Sequence, residues 1–272
     1  MYESYWQLKE KPFENTPDPR FFYYSSQHKE ALSRLLYAVR EKKGAALLSG
    51  EYGSGKTLLS RVILEELRQE RYQVVLIFNP RLGVIEFFQE IIYQLAGHPD
   101  SNSKIELLHR LNKIFQDNHQ KNKDTVVLID EAQAIETDEV FEELRLLLNF
   151  QLNNEFLITL VLLGQPELKD KVDRFPQLDQ RLSVRYHLSE LDEHETKEYI
   201  LHRLSIAGRT PELFTPEAVR LIYNASSGIP RVINSLCDMC LLVGFGKHLT
   251  SIDEETCHEV IKDYQEARVR RV

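Results

Sequence analysis

The stretch from Gly50 to Thr57 constrains the fold of this chain more than any other, because it matches the pattern G-x-x-x-x-G-K-[ST]. An apolar run at 45–48 precedes it and is typical of a buried strand, while apolar residues recur at helical spacing behind it. Small residues in such a turn let successive backbone N–H groups surround phosphate oxygens at the positive end of a helix. The stretch therefore predicts a strand, a phosphate-binding loop and a helix. A glycine-rich turn before an ordinary amphipathic helix is the alternative.

The motif gives the residue types in this loop distinct roles toward a nucleoside triphosphate. Lys56 is expected to reach the β and γ phosphates, and the Thr57 hydroxyl is expected to hold Mg²⁺. The residues predicted to bind the nucleotide are Gly50, Glu51, Tyr52, Gly53, Ser54, Gly55, Lys56, Thr57 and Leu58.

A second apolar run, Thr125 to Ile129, ends in the carboxylates of Asp130 and Glu131. Asp130 at the carboxyl end of a buried strand would lie beside the phosphate loop and hold the metal, so it joins the predicted nucleotide and metal residues. Glu131 would act as a general base on the attacking water, which requires a carboxylate within hydrogen-bond reach. The alternative is that both acids cap the next helix, because acidic residues favour its first turn.

Length and composition set the outer limits. A chain of 272 residues suits two domains of unequal size, and no run approaches the 18 apolar residues of a membrane helix. The amino terminus lacks the basic and apolar regions of a signal peptide, so we expect a cytoplasmic protein.

Cys237 and Cys240 form a C-x-x-C pair on a helical, apolar stretch, where buried thiols are the favoured interpretation. A zinc site is the alternative, although a second pair at ligand spacing is missing.

The net charge of −8 argues against a protein that coats nucleic acid without sequence preference, because the affinity of such proteins comes from clustered Lys and Arg. Local basic patches are still compatible with this charge, the clearest being the tail at Arg268, Arg270 and Arg271. Such a tail is more often solvated surface.

Strands and helices alternate as far as Leu188, and only helices are predicted from Asp192 onward. Five strands are expected, at 45–48, 73–79, 125–129, 156–163 and 183–188. This alternation predicts an α/β fold with a parallel sheet whose ligand binds at the carboxyl ends of the strands. Residues 1–190 are expected to form the nucleotide-binding core with an amino-terminal linker, and 191–272 a small all-helical domain.

Several short motifs, in order along nearly the whole chain, resemble one known family. They are Lys11-Pro12-Phe13, Thr16 to Phe22 (T-P-D-P-R-F-F), His28 to Leu32, Asp130 to Gln133 (D-E-A-Q), Leu163 to Leu168 (L-G-Q-P-E-L), Gln180 to Leu182 and Gly228 to Arg231 (G-I-P-R). The family is that of the ExeA-type (general secretion pathway protein A) AAA+ ATPases, with shorter relatives such as the MSHA pilus biogenesis ATPase. The resemblance implies a P-loop AAA+ core followed by a helical lid.

The resemblance also implies roles for residues outside the two nucleotide motifs. Gln165 would occupy the sensor 1 position. Arg181 would be an arginine finger that acts on the nucleotide of a neighbouring subunit, and Arg185 is the second candidate for this role. Arg231 would be sensor 2, and a surface salt bridge is its alternative. Phe21, Phe22 and Tyr23, in the segment before the loop, are expected near the adenine, and aromatic core packing is the alternative for them.

The implied activity is Mg²⁺-dependent ATP hydrolysis by a homo-oligomer that powers or regulates assembly of a cell-envelope machine, of the type II secretion or type IV pilus kind. Its expected location is the cytoplasm, peripheral at the inner membrane through an envelope-assembly partner. Longer members of the secretion branch continue into a membrane helix and a peptidoglycan-binding part, and whether this chain is a module-only relative or a truncated one stays open. A DNA-associated AAA+ regulator of transposition is the alternative function. A nucleotide-binding switch with little turnover is another.

Overall fold

The computed structural model describes residues 1–68, 71–99, 101–152, 155–209 and 212–269. The chain forms two compact units, which we call the sheet unit, Ser26–Tyr52 with Lys56–Leu188, and the helical unit, Met1–Ser25, Gly53–Gly55 and Ser189–Val272. The predicted basic tail lies, at Arg270 and Arg271, outside the described residues.

A five-stranded parallel sheet organises the sheet unit, as the alternating pattern predicts. Its strands are β1 (Ala45–Gly50), β2 (Tyr72–Ile77), β3 (Asp124–Ile129), β6 (Ile158–Gly164) and β7 (Leu182–Leu188). They run in the order β2-β3-β6-β1-β7 and all pair in parallel. The central strands β1 and β6 are buried along their whole length, which explains their continuous apolar runs. A short antiparallel pair joins β4 (Gln151–Leu152) to β5 (Glu155–Phe156).

Seven helices belong to the described part of this unit: α1 (Ser26–Arg40), α2 (Lys56–Glu66), α3 (Val84–Ala96), α4 (Lys104–Gln120), α5 (Asp138–Leu147), α6 (Glu167–Asp173) and α7 (Pro176–Asp179). Helix α3 carries its apolar face into the core and ends at Gly97, whose φ of 81° is the left-handed conformation that favours glycine. A core of aromatic and aliphatic side chains from α3, α4 and α5 packs with residues of the sheet strands.

Two details of the sheet unit differ from the sequence expectation. The fourth sheet strand begins at Ile158, because Phe156 pairs with Gln151 in the short antiparallel ladder instead of continuing β6. Helix α1, in the segment expected to be a linker, packs on the edge strand β7 and buries Leu32, Leu35 and Leu36. Amphipathic spacing of apolar residues in 26–40 is the signal for this helix.

Four helices form the helical unit in the part of it that is described: α8 (Glu193–Ile206), α9 (Pro216–Ser226), α10 (Pro230–Gly246) and α11 (Glu254–Val269). The predicted caps are present, since Asp192 accepts from the Glu195 N–H at 2.7 Å and Thr215 accepts from the Ala218 N–H at 3.2 Å. Pro216 and Pro230 stand in the first turns of α9 and α10, where a missing N–H costs nothing.

The amino-terminal 25 residues group with these helices, whereas the predicted division at 190 assigned them to the core. Trp6 is buried, and its indole N–H donates to the Leu241 carbonyl at 2.9 Å. The Arg203 guanidinium donates to the carbonyls of Pro12 and Glu14 and lies 4.8 Å from the centre of the Phe21 ring. Trp6, Leu8 and Phe13 of the amino-terminal segment are therefore part of the core of the helical unit, and the buried Phe21 ring packs against the Arg203 guanidinium.

All three cysteines are buried as free thiols in the helical unit, with the Sγ atoms of Cys240 and Cys257 3.7 Å apart. Burial raises the pKa of the Cys237 thiol, which keeps it protonated and unreactive. Within the described ranges no group of three or more His, Cys, Asp or Glu side chains could hold a metal ion. The cysteines thus pack as small apolar side chains.

Among the residues that the structure covers, no helix combines the length and the apolar content needed to cross a membrane.

Candidate nucleotide-binding site

The strand order places three functional segments side by side. In the neighbouring strands β3, β6 and β1, the carboxyl ends lead into Asp130, Gln165 and the phosphate loop. Because parallel strands end at the same edge of a sheet, residues far apart in sequence meet there. This edge holds the predicted metal ligand Asp130 with the adjacent base Glu131, the sensor 1 candidate Gln165 and the lysine of the loop.

Two glycines of the phosphate loop have backbone conformations that other residues adopt at a cost. Gly53 has φ of 87° and Gly55 has φ of 103°. A Cβ atom on Gly53 would also lie 2.7 Å from the Cβ of Arg231, a residue of the same helical unit. Glycine is therefore required at Gly53 both by the backbone angle and by a close neighbour.

Lys56 begins α2 and is buried, with 4% of its surface exposed. Its ammonium group donates to the carbonyl oxygens of Gly50 at 2.7 Å and Glu51 at 2.8 Å. Burial lowers the pKa of Lys56, and the negative charges of Glu131 and Asp130 oppose that shift. The amine is thus held in a site where its charge is poorly hydrated and would gain from an anionic ligand.

Asp130 follows β3 directly and is 2% exposed. Its carboxylate accepts hydrogen bonds from the Thr57 hydroxyl and, at 3.0 Å, from the Glu131 backbone N–H. Burial raises the pKa of Asp130 above its ordinary value, and these two hydrogen bonds oppose the rise. A hydroxyl and a carboxylate in contact supply the oxygen ligands that Mg²⁺ prefers, so the residues present fit this metal.

Glu131 adopts the left-handed backbone conformation, with φ of 51° and ψ of 37°, at the start of a 3₁₀ turn (Ala132–Ala134). For a residue other than glycine this conformation costs free energy and is retained where surrounding contacts enforce it. Its carboxylate oxygen Oε2 accepts from the side-chain amides of Gln133 and, at 3.3 Å, Gln165. The side chain predicted to be the general base is thus fixed by two amide groups.

The two arginines considered as fingers are both engaged inside their own chain. Arg181 donates to the Leu148 carbonyl at 2.8 Å and to Oδ1 of Asn149 at 2.7 Å, so it holds the carboxyl end of α5. Arg185 pairs with the Asp179 side chain and donates to the Asp179 carbonyl. Neither residue is brought to the Lys56 site by these contacts.

Arg231 lies in the first turn of α10, as the sequence predicts. Its backbone N–H donates to the Gly53 carbonyl at 3.2 Å, and its exposed side chain starts next to that glycine. Gly53–Gly55 and Arg231 thus meet within the helical unit.

Sequence reasoning gave no role to Gln133 or Gly164, although both stand in the quoted motifs D-E-A-Q and L-G-Q-P. The structure places them in contact, since a Cβ on Gly164 would lie 2.6 Å from Oε1 of Gln133. Both motifs follow strands that are neighbours in the sheet, β3 and β6. That adjacency is the signal by which their contact could have been found.

Comparisons with known proteins bear on the family and the fold. Residues 39–172 match the family model described as an AAA domain. General secretion pathway protein A of Aeromonas hydrophila is 37% identical over 251 residues, which make up 91% of this chain and 45% of that protein. The chain thus spans less than half the length of this relative.

Solved structures with the same fold include the Aeropyrum pernix ORC2 protein in ADPNP and ADP complexes, with a TM-score of 0.68 at 17% identity, covering 93% of this chain and 71% of that one. Another is Drosophila ORC bound to DNA, with a TM-score of 0.70 at 18% identity, covering 93% of this chain and 64% of that one. At these identities the likeness concerns the fold alone.

Proposed function

The chain belongs to the ExeA-type AAA+ ATPases, and from this we propose that it hydrolyses ATP with Mg²⁺ to power or regulate assembly of a cell-envelope machine. The observation that carries the chemical part is the contact between the Thr57 hydroxyl and the buried Asp130 carboxylate, beside the buried Lys56. These groups belong to two separate motifs and meet at one edge of the sheet. They match what a magnesium-bound triphosphate requires.

In this proposal the role of each residue follows from its charge and its position. Lys56 and the loop N–H groups bind the phosphates, and Thr57 and Asp130 hold Mg²⁺, which would neutralise charge on the phosphate oxygens. Glu131 orients the attacking water and takes its proton, while Gln165 lies within hydrogen-bond reach of the Glu131 carboxylate. Arg231 responds to the nucleotide through its place at Gly53.

Replacing Glu131 tests the chemical assignment most directly. Glu131→Gln keeps the shape of the side chain and removes the base, so we expect turnover of Mg·ATP to fall by about 10²-fold or more. Binding of a non-hydrolysable ATP analogue should stay within about threefold of the parent, because the phosphate contacts are made by other residues. Glu136→Gln is the matched control, since Glu136 is exposed on the loop that follows.

Lys56→Ala should abolish nucleotide binding itself, which calorimetric titration with the analogue measures directly. If the Glu131→Gln protein hydrolysed ATP at the parent rate, Glu131 would not be the base. If the parent bound the analogue without turnover, the chain would be a nucleotide-binding switch.

The envelope role rests on the 37% identity to general secretion pathway protein A. Deleting the gene in its own cell should reduce assembled secretion or pilus complexes, and the parent gene, but not the Glu131→Gln form, should restore them. Fractionation of those cells should find the protein in the cytoplasm. A share of it should also be found at the inner membrane, and this share should disappear when the envelope partner is absent.

The DNA-associated reading predicts a different outcome. Duplex DNA should then stimulate turnover, and raising the salt concentration should remove the effect, because phosphate contacts release counterions. The net charge of −8 weighs against this result.

A homo-oligomer also belongs to the proposal, with Arg181 acting on a neighbour's nucleotide. In that role Arg181 has to leave the Leu148 and Asn149 contacts described above. Sizing the Glu131→Gln protein by light scattering with and without Mg·ATP tests assembly. Mixing Lys56→Ala with Arg181→Ala subunits tests the finger, since only a finger acting in trans permits partial recovery of turnover.

A further inference from the structure

The side-chain amide of Gln133 uses both of its ends on the catalytic edge of the sheet. Its Nε2 donates to Oε2 of Glu131, and its Oε1 accepts from the Gln165 backbone N–H at 3.0 Å. An amide turned by 180° would set oxygen against the carboxylate and two donors against each other, so these partners determine its orientation. Gln133 therefore connects the D-E-A-Q turn to the end of β6 in one geometry.

The surroundings keep this amide in place from two sides. The Lys171 ammonium donates to the carbonyls of Gln133 at 2.6 Å and Ile135 at 2.7 Å, which fixes the backbone of the turn. On the other side, a Cβ on Gly164 would lie 2.6 Å from the Gln133 oxygen and 2.8 Å from Cδ2 of Leu168. Only a residue without a side chain leaves room for the amide there.

We propose that Gln133 is a positioning residue for ATP hydrolysis, which holds the Glu131 carboxylate at the attacking water and couples it to Gln165, with Gly164 providing its space. This inference rests on the proposed function. A general base loses efficiency when it rotates away from the proton that it removes, and displacement by about 1 Å can cost about 10²-fold in rate. In the structure this support consists of the hydrogen bonds that the Glu131 carboxylate accepts from the Gln133 and Gln165 amides.

Two substitutions at Gln133 separate positioning from simple anchoring of the turn. Gln133→Met keeps the volume and removes both hydrogen bonds, while Gln133→Glu keeps the acceptor for the Gln165 N–H and removes the donor to Glu131. We expect kcat at pH 8 to fall by about 10-fold to 10²-fold in both proteins. The dissociation constant of the ATP analogue should stay within about threefold in Gln133→Met, because this change leaves both the phosphate contacts and the net charge of the site unaltered.

Gly164→Ala is an independent variant, since its methyl group displaces the amide without changing Gln133. It should show the same loss of kcat with unchanged analogue binding. Gln116→Met is the matched control, because the Gln116 amide donates to Asn112 on its own helix α4, away from the site. That protein should turn over ATP at the parent rate.

The outcomes are distinguishable from a failure of the proposed function. An inactive parent overturns the ATPase assignment itself, and a Glu131→Gln protein that turns over ATP at the parent rate overturns the assignment of Glu131 as the base. With Glu131→Gln inactive, parental kcat in both Gln133 variants overturns the inference, and so does parental kcat in Gln133→Glu alone, which would mean that Gln133 only anchors the turn. A loss of analogue binding equal to the loss of kcat also overturns it. If Gln133→Met fails to fold, Gln133→Glu and Gly164→Ala decide between these results.

Discussion

The helical unit and the sheet unit bury charged side chains to the same extent and with opposite consequences. Arg203 in the helical unit is 4% exposed, and its three nitrogen atoms each donate, to the carbonyls of Pro12 and Glu14 and to the Tyr199 hydroxyl. Lys56 and Asp130 in the sheet unit are buried as deeply, yet burial shifts the pKa of each against its charged form. Arg203 stabilises the fold, whereas Lys56 and Asp130 are maintained at a cost to it.

The two units therefore contain two kinds of buried charge, one that stabilises the fold and one that is kept for a ligand. A buried charge whose nitrogen atoms each donate to the protein joins distant segments, because removing it leaves several acceptors without partners. A buried charge kept for a ligand has its best partner only when that ligand is bound, so the free protein is less stable than it could be. Removing the buried charge of Arg203 should therefore lower the free energy of unfolding, whereas removing a buried charge kept for the ligand should raise it.

The largest effect is expected from Trp6→Ala in the helical unit. Truncating a buried aromatic side chain costs about 3–5 kcal/mol, and this one also loses the hydrogen bond to the Leu241 carbonyl. Guanidinium unfolding followed by circular dichroism should show the loss. Tyr37→Ala, which removes an aromatic ring that is 53% exposed, is the control and should change stability by less than about 1 kcal/mol. An equal, small effect of both would mean that the amino-terminal segment does not belong to the core of this unit.

A smaller loss is expected from Arg203→Met, which keeps the aliphatic packing and removes the guanidinium. Hydrogen bonds from a charged donor contribute about 1.5–3 kcal/mol, so we expect a destabilisation of about 2–3 kcal/mol. Trp6 is the single tryptophan of the chain, and its fluorescence reports unfolding of the helical unit directly.

Lys11→Met is the control for Arg203→Met. Its exposed ion pair with Glu14 lies in the same segment and should contribute less than about 1 kcal/mol. Matching shifts in the two variants would contradict a specific role for Arg203.

The same contrast explains what the sequence could predict. The phosphate loop, the D-E pair and the five parallel strands were predictable, because each depends on local patterns of residues 45–57 and 124–131 and on alternating strands and helices. Caps such as Asp192 and Thr215 are equally local, since each side chain binds an N–H three residues on.

The rest depends on contacts between distant segments. Trp6 and Leu241 are 235 positions apart, and no pattern around Trp6 indicates which element covers it. The Gln133 network likewise requires the order of β3 and β6 in the sheet, and the contacts of Arg181 require the end of α5. Local periodicity gives elements and motifs, while the partners of a buried polar side chain follow only from the packed fold.

The smallest effect, and the only gain, is expected from Asp130→Asn in the sheet unit. The amide oxygen of Asn can still accept from the Glu131 N–H, as Oδ1 of Asp130 does, while the buried negative charge is removed. Removing a group kept for function should raise the free energy of unfolding by about 0.5–2 kcal/mol without nucleotide. Thermal unfolding measures this, and the stabilisation that Mg·ATP analogue gives the parent should be absent from the variant.

The pH dependence of this gain identifies its cause. Burial raises the pKa of Asp130 in the folded protein, helped by the charge of Glu131 and opposed by the Thr57 hydrogen bond and the charge of Lys56. Between the unfolded value of about 3.9 and the raised folded value, the folded state binds more protons, so the contribution of Asp130 to stability falls as the pH rises. Asn does not titrate. The difference in melting temperature between variant and parent should therefore be smallest at pH 4 and largest at pH 7.5, and a difference that is constant with pH would show that the charge of Asp130 is not what destabilises the sheet unit.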